Sequence, residues 1–197
     1  MGDMRIVVSG THASGKSTLI SDFARRHPEF SALPDPFELL DEAWDAPSAG
    51  LFAAQLGIAA ERLTSTEFGP QIIAERGPLD FLAYLLALEE WSGTRPSPEL
   101  LERSTEITAE AMSHVDVLVV LPLTSADPIQ VPAEEHPELR AGMNEILLEL
   151  IGDPDLIGSR TRVTEIVGGR EERLDALEAF VGAASNRSPH PRSSQGF

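Results

Sequence analysis

Apolar positions along the chain follow two alternating periods, one fitting strands and one fitting helices. Met4–Ser9 is a short, β-branched run that enters Gly10 directly, the pattern of a buried parallel strand. Residues 18–26 carry Leu19, Ile20, Phe23 and Ala24 at helical spacing, and Pro28 stops them. Residues 30–33 are a weaker strand candidate, ending at Pro34-Asp35-Pro36, where two prolines hold the backbone extended. A helical stretch at 37–44 follows. Residues 48–66 read as a long amphipathic helix with a wide apolar stripe broken only by Gly57. Residues 71–75 form an apolar strand. The helix expected at 79–91 is apolar nearly all round, so it should pack on several sides. Another helix is expected at 98–113. The continuous β-branched run at 115–121 predicts a central parallel strand covered on both faces. Periodicity is lost from 122 to 137, where Pro, Asp and Glu accumulate, and returns as a helix at 138–151. A last strand at 162–167, a Gly168-Gly169 turn and a helix at 170–184 complete the pattern. The polar, Pro- and Ser-rich residues 185–197 are expected to be a disordered tail. Residues 1–184 are therefore read as one α/β domain.

The junction of the first strand and first helix carries the sharpest chemical signal. Gly10-Thr11-His12-Ala13-Ser14-Gly15-Lys16-Ser17 has two glycines five apart, then Lys and a hydroxyl residue, the P-loop pattern, with Thr18 beginning the helical run. Tight turning of this backbone points successive N–H groups inward, and the helix adds its positive dipole end at the same place. Phosphate oxygens of a nucleoside triphosphate are expected there. Lys16 would reach the β- and γ-phosphates, and the Ser17 hydroxyl would ligate Mg²⁺, a cation that prefers oxygen.

Composition sharpens this expectation. Of the fifteen basic residues, Lys16 is the only lysine and the other fourteen are arginine. A compact ammonium fits between phosphates where a planar guanidinium does not. Against those fifteen stand 32 acids, giving a formal net charge of −17, a field that repels a polyanion such as nucleic acid. With no cysteine there is no disulfide, thiolate metal site or thiol nucleophile. Neither a signal-like leader nor an apolar run of about 18 residues is found, so the expectation is a cytoplasmic protein without a membrane span.

Further candidates lie where strands end. Ligand crevices in open parallel sheets lie outside the carboxyl ends of the strands. Asp35 sits just past the second strand, and reads either as an active-site carboxylate or as a turn or N-cap residue. Glu75-Arg76-Gly77-Pro78-Leu79-Asp80 ends the third strand and opens a helix at Gly-Pro. Glu75 is placed to hold Mg²⁺ opposite Ser17, and Arg76 to orient a substrate group. Gln55 and Arg62 are the polar substrate-contact candidates of the helix at 48–66. The stretch without periodicity reads as a mobile active-site segment, a lid at about 122–140. Arg140 at its edge is the only arginine between Arg103 and Arg160 and is taken as the lid arginine that neutralises the transferring phosphoryl group.

Together these stretches resemble the P-loop nucleoside and nucleotide kinases, nearest the deoxynucleoside kinases and ribosylnicotinamide-kinase-like ATPases, over about residues 1–184. The resemblance implies a three-layer α/β/α fold, with a five-stranded parallel sheet of order 2-3-1-4-5 between helices. It implies Asp35 as general base, since Asp35-Pro36 matches an acid-Pro pair, and Glu75-Arg76-Gly77 stands for a Glu-Arg-Ser motif. Gln55 corresponds to a base-reading glutamine. Two departures stand out: Gly77 replaces Ser, and 122–137 contains no arginine where those kinases have an Arg-rich lid. ATP is favoured over GTP, because a guanine-reading Asn-Lys-x-Asp needs a second lysine.

The leading expectation is an ATP- and Mg²⁺-dependent kinase acting on a hydroxyl of a small molecule, most simply a nucleoside, nucleotide or related metabolite. A regulatory ATPase that sets a partner interaction is the second reading, motivated by the acidic lid. The third is a nucleotide-binding module without chemistry. The sequence leaves the acceptor open, and a homodimer as well.

Overall fold

The computed structural model describes residues 3–39, 47–123 and 136–185. Five short strands form one parallel sheet: β1 (Met4–Ser9), β2 (Ser31–Leu33), β3 (Gln71–Glu75), β4 (Val117–Val120) and β5 (Arg162–Glu165), in the order β2-β3-β1-β4-β5. Each strand is followed by helical structure that crosses back over a face: α1 (Lys16–Arg26), α2 (Ala49–Thr64), α3 (Pro78–Ser92), α4 (Pro98–Met112), α5 (Pro137–Leu150), α6 (Pro154–Ile157) and α7 (Arg170–Ser185). Parallel strands require such crossovers, which is why strand and helix patterns alternate in the sequence. This is the three-layer α/β/α sandwich with the expected strand order.

Side-chain alternation divides the apolar residues of the sheet between two cores. Ile6, Val8, Ile73, Val117 and Val119 face α1 and α7, meeting Leu19, Phe23, Leu174 and Leu177. Val7, Ile72, Ala74, Leu118 and Val120 face the other way, toward Leu56, Leu63, Leu82, Met112 and Met143 of α2, α3, α4 and α5. Both faces of β1 and β4 are covered, so these strands read as unbroken apolar runs. Helix α3 is buried from Pro78 to Leu85 because α2, α4 and α5 enclose it, as its nearly uniform apolar surface demands.

Element bounds depart from the sequence reading in small, explicable ways. β2 is a three-residue edge strand with Ser31 and Ala32 exposed, which is why its signal is weak. At 37–44 the described part is a single 3-10 turn, Pro36–Leu39, and residues 40–46 lie outside the described residues. The same holds for 124–135 of the expected lid and for 186–197 of the expected tail; Ser185 closes α7. The four-residue α6 was not expected, being too short to show a period; Asp153 caps it and Pro154 opens it. No described helix is long and apolar enough to cross a membrane.

Candidate active site

The loop after β1 is built by its glycines. Gly10 has φ 144°, and a Cβ there would lie 2.8 Å from the Leu121 carbonyl oxygen; Gly15, the α1 N-cap, has φ 89°. Only glycine takes such backbone without strain. The loop thus doubles back over the α1 N-terminus, whose unpaired N–H groups and dipole favour an anion.

Three side chains from distant elements anchor this loop. Asp80, fully buried in the first turn of α3, accepts from Ser9 Oγ at 2.6 Å, Gly10 N–H at 2.8 Å and Gly77 N–H at 3.0 Å. It joins the start of the loop to the corner that follows β3. Burial holds its carboxyl above the ordinary range, against the pull of these three donors and of the Arg76 guanidinium. From α7, Arg173 Nη1 donates to the Ser14 carbonyl at 2.8 Å. From α5, Arg140 donates through Nε to the His12 carbonyl at 3.1 Å and through Nη2 to the Ala13 carbonyl at 3.3 Å. Arg140 therefore stands on the loop itself. Sequence reasoning missed Asp80 and Arg173. Asp80 had a signal, an acid three residues past Gly77 where it can cap the helix, whereas nothing separates Arg173 from the other charges of its helix.

A cleft of about 410 Å³ opens beside the loop, lined by residues 12–18 and by Asp35, Phe37, Glu38, Glu75 and Arg76. Lys16 is buried, its Nζ donating to the Thr11 carbonyl at 2.6 Å and lying 3.8 Å from Glu75 Oε1. Burial first, then the nearby Arg76 charge, lower its pKa to about 8, with Glu75, Asp80 and Asp35 opposing. Ser17 Oγ donates to Glu75 Oε1 at 2.9 Å. Burial raises the Glu75 pKa, an unfavourable state for a carboxylate that a bound cation relieves. A hydroxyl and a carboxylate this close are hard oxygen donors, and phosphate and water oxygens would complete the octahedron. The residues present fit Mg²⁺.

The same lining carries Asp35 and Arg76. Asp35 Oδ2 lies 3.3 Å from Arg76 Nε, and Oδ1 accepts from the Phe37 N–H at 3.1 Å. Arg76 is buried, holds φ 62° although it is not glycine, and has its guanidinium 5.5 Å from the Tyr84 ring centre and 5.9 Å from that of Phe81. A left-handed backbone at a charged, buried residue is strain concentrated at the cleft. Tyr84 packs on Phe52 and also meets His12 Nδ1 through its hydroxyl at 3.3 Å. Burial, with Arg76, Arg140, Lys16 and His136 nearby, brings the His12 pKa down to about 4, so the ring is neutral at physiological pH.

Two candidates, Arg62 and Gln55, are not among the residues that line the cleft. Arg62 Nη1 donates to the Pro34 carbonyl at 2.7 Å and so holds the backbone that carries Asp35. Gln55 is buried, and its Nε2 has no hydrogen-bond partner among the described residues.

No protein-family model matches the chain, and no curated protein matches it either. Solved structures do. Thymidylate kinase from Candida albicans aligns at 16% identity and TM-score 0.66, covering 95% of this chain and 94% of that one. Deoxyadenosine kinase from M. mycoides, in a structure with bound dATP, aligns at 13% identity and TM-score 0.68 over 91% of this chain and 100% of its own. Thymidylate kinase from Ehrlichia chaffeensis follows at 14% identity and TM-score 0.57, over 92% and 100%. At these identities the likeness speaks for backbone arrangement, and the chain has the fold of the P-loop nucleoside and nucleotide kinases.

Proposed function

We propose that the protein is an ATP- and Mg²⁺-dependent phosphotransferase that moves the γ-phosphoryl group to a hydroxyl of a nucleoside, nucleotide or related small molecule in the cytoplasm. The observation that carries this reading is the shared cleft, whose lining brings together Lys16, Ser17 and Glu75 with Asp35 and Arg76. A hydrolase needs the first set alone; an acceptor site needs the second.

Loop amides and Lys16 would grip the β- and γ-phosphates, and Ser17 and Glu75 would hold the metal. Mg²⁺ bound there would neutralise phosphate charge as the γ-phosphoryl group transfers. Asp35 would take the proton of the acceptor hydroxyl while Arg76 fixes the carboxylate that does so. Arg140, which donates to the His12 and Ala13 carbonyls of the loop, would turn to offset charge on the transferring group. Gln55, whose buried Nε2 has no hydrogen-bond partner among the described residues, would turn toward a bound base and read its edge, and Arg62 would position Asp35.

Lys16→Ala tests this reading. Phosphoryl transfer should fall by about a hundred- to a thousandfold, with the circular dichroism spectrum unchanged. Full activity in the purified variant would reject the assignment. A nucleotide-dependent switch remains the second reading because residues 122–137 contain acids and no arginine. It predicts slow ATP hydrolysis that no hydroxyl acceptor changes.

A further inference from the structure

The loop after β1 has a run of carbonyls committed to cations, and that run fixes where its N–H groups face. Lys16 Nζ donates to the Thr11 carbonyl at 2.6 Å, Arg140 Nε to that of His12 at 3.1 Å and Arg140 Nη2 to that of Ala13 at 3.3 Å. Arg173 Nη1 donates to the Ser14 carbonyl at 2.8 Å. In a trans peptide the carbonyl of one residue and the N–H of the next point in opposite directions. Each cation that holds a carbonyl of residues 11–14 therefore turns the N–H of His12, Ala13, Ser14 or Gly15 away from itself. Successive N–H groups fixed in this way make an anion-binding concavity.

The three cations differ in what a bound triphosphate asks of them. In the phosphotransferase reading, on which this inference rests, Lys16 meets the phosphates and Arg140 turns to the transferring group, so both leave their carbonyls. Ser14 Oγ also donates to the Thr11 carbonyl at 2.9 Å and keeps it satisfied when Lys16 moves. Arg173 is buried and is not among the residues that line the cleft, so it stays on Ser14. The first turn of α7 sets its place. Arg170 Nε and Nη2 donate to the two carboxylate oxygens of Asp22 on α1 at 2.6 and 2.7 Å, and the Gly169 N–H donates to Glu172 Oε2 at 2.7 Å. Gly15 completes the fit: a Cβ there would lie 3.1 Å from Arg173 Nη1, so the second glycine of the loop makes room for the guanidinium as well as taking φ 89°.

We propose that Arg173 is a positioning residue for the triphosphate, holding the Ser14–Gly15 peptide with its N–H toward the phosphates in the empty loop and in the loaded one. It acts through the main chain and touches neither base nor acceptor.

The test is calorimetric titration of ATP with Mg²⁺ and, separately, of tripolyphosphate with Mg²⁺, which has the tail without the base, into the unaltered protein and Arg173→Met. Both Kd values should rise by the same factor, about ten- to a hundredfold, as one charge-assisted hydrogen bond is lost. In transfer assays the KM for ATP should rise with them while the acceptor KM holds. Arg173→Lys, which keeps a cationic donor, should bind within about threefold of the unaltered protein. Should Arg173→Met not fold, Arg173→Gln, neutral but still a donor, takes its place, with both Kd values again rising together and lying above those of Arg173→Lys. Tripolyphosphate bound as tightly by the neutral variant as by the unaltered protein would overturn the proposal, even if Tm falls or ATP alone weakens, and would leave the phosphotransferase reading standing. A lysine variant no tighter than the neutral one would assign the loss to packing and overturn it as well, as would an unaltered protein that binds ATP but not tripolyphosphate. An unaltered protein that binds neither ligand would overturn the phosphotransferase reading and the proposal together.

Discussion

Lys16 is the one ammonium side chain in the protein, and its environment makes its charge conditional. Burial and the Arg76 guanidinium bring its pKa from 10.5 to about 8 without ligand. A lowered lysine pKa means that the ligand-free fold tolerates the neutral amine better than water does. Phosphate oxygens bound there would reverse the preference and draw the proton back. ATP binding should therefore take up protons: close to none at pH 6.5, where Lys16 is already charged, and a growing fraction between pH 8 and 9. Apparent ATP affinity should fall over the same upper range. Titration calorimetry in buffers of different ionisation enthalpy reads the uptake directly, and observed heats at pH 8.5 that do not vary with the buffer would show that Lys16 does not meet the phosphates.

At the scale of elements, the loop after β1 is held by three helices that reach it from far along the chain. Asp80 of α3 is the most consequential of these contacts, because one buried carboxylate serves Ser9, Gly10 and Gly77 together. Asp80→Ala would leave three buried donors without an acceptor, at a cost of about 3 kcal/mol. For a domain of this length that is a fall in Tm of roughly 6–12 °C. ATP affinity should weaken as well, since Gly10 N–H and the corner carrying Arg76 lose a shared anchor. Differential scanning calorimetry with and without nucleotide checks both parts, and an unchanged Tm would remove Asp80 from this role.

For the whole molecule, the cleft lies where the strand order reverses, at the carboxyl ends of β1 and β3, with β4 on the other flank of β1. Parallel strands all end on that side, so residues far apart in sequence arrive at one place. Two apolar cores clamp β1 between layers, giving the loop a rigid base. Nucleotide that binds only the folded state should stabilise the whole domain. At a concentration of ATP and Mg²⁺ a hundred times the Kd, the gain is about 2.7 kcal/mol, an upward shift of roughly 5–10 °C. Thermal unfolding monitored by ellipticity measures it, and no shift at any concentration would count against nucleotide binding altogether.

What was legible in the sequence was whatever depends on neighbours in the chain. The run into Gly10, the glycine spacing and Lys16-Ser17 specify strand, turn and anion site locally, because φ limits and helix-end amides are local properties. The unbroken runs of β1 and β4 announced a covered parallel sheet for the same reason. Tertiary structure alone decided which polar groups meet. It placed Glu75 beside Ser17, paired Asp35 with Arg76, set Arg140 and Arg173 on loop carbonyls, fixed Arg62 on the Pro34 carbonyl, and left Gln55 buried outside the cleft lining. Such pairings come from distances across the sheet between residues tens of positions apart, and no local pattern of apolar and polar positions encodes those distances.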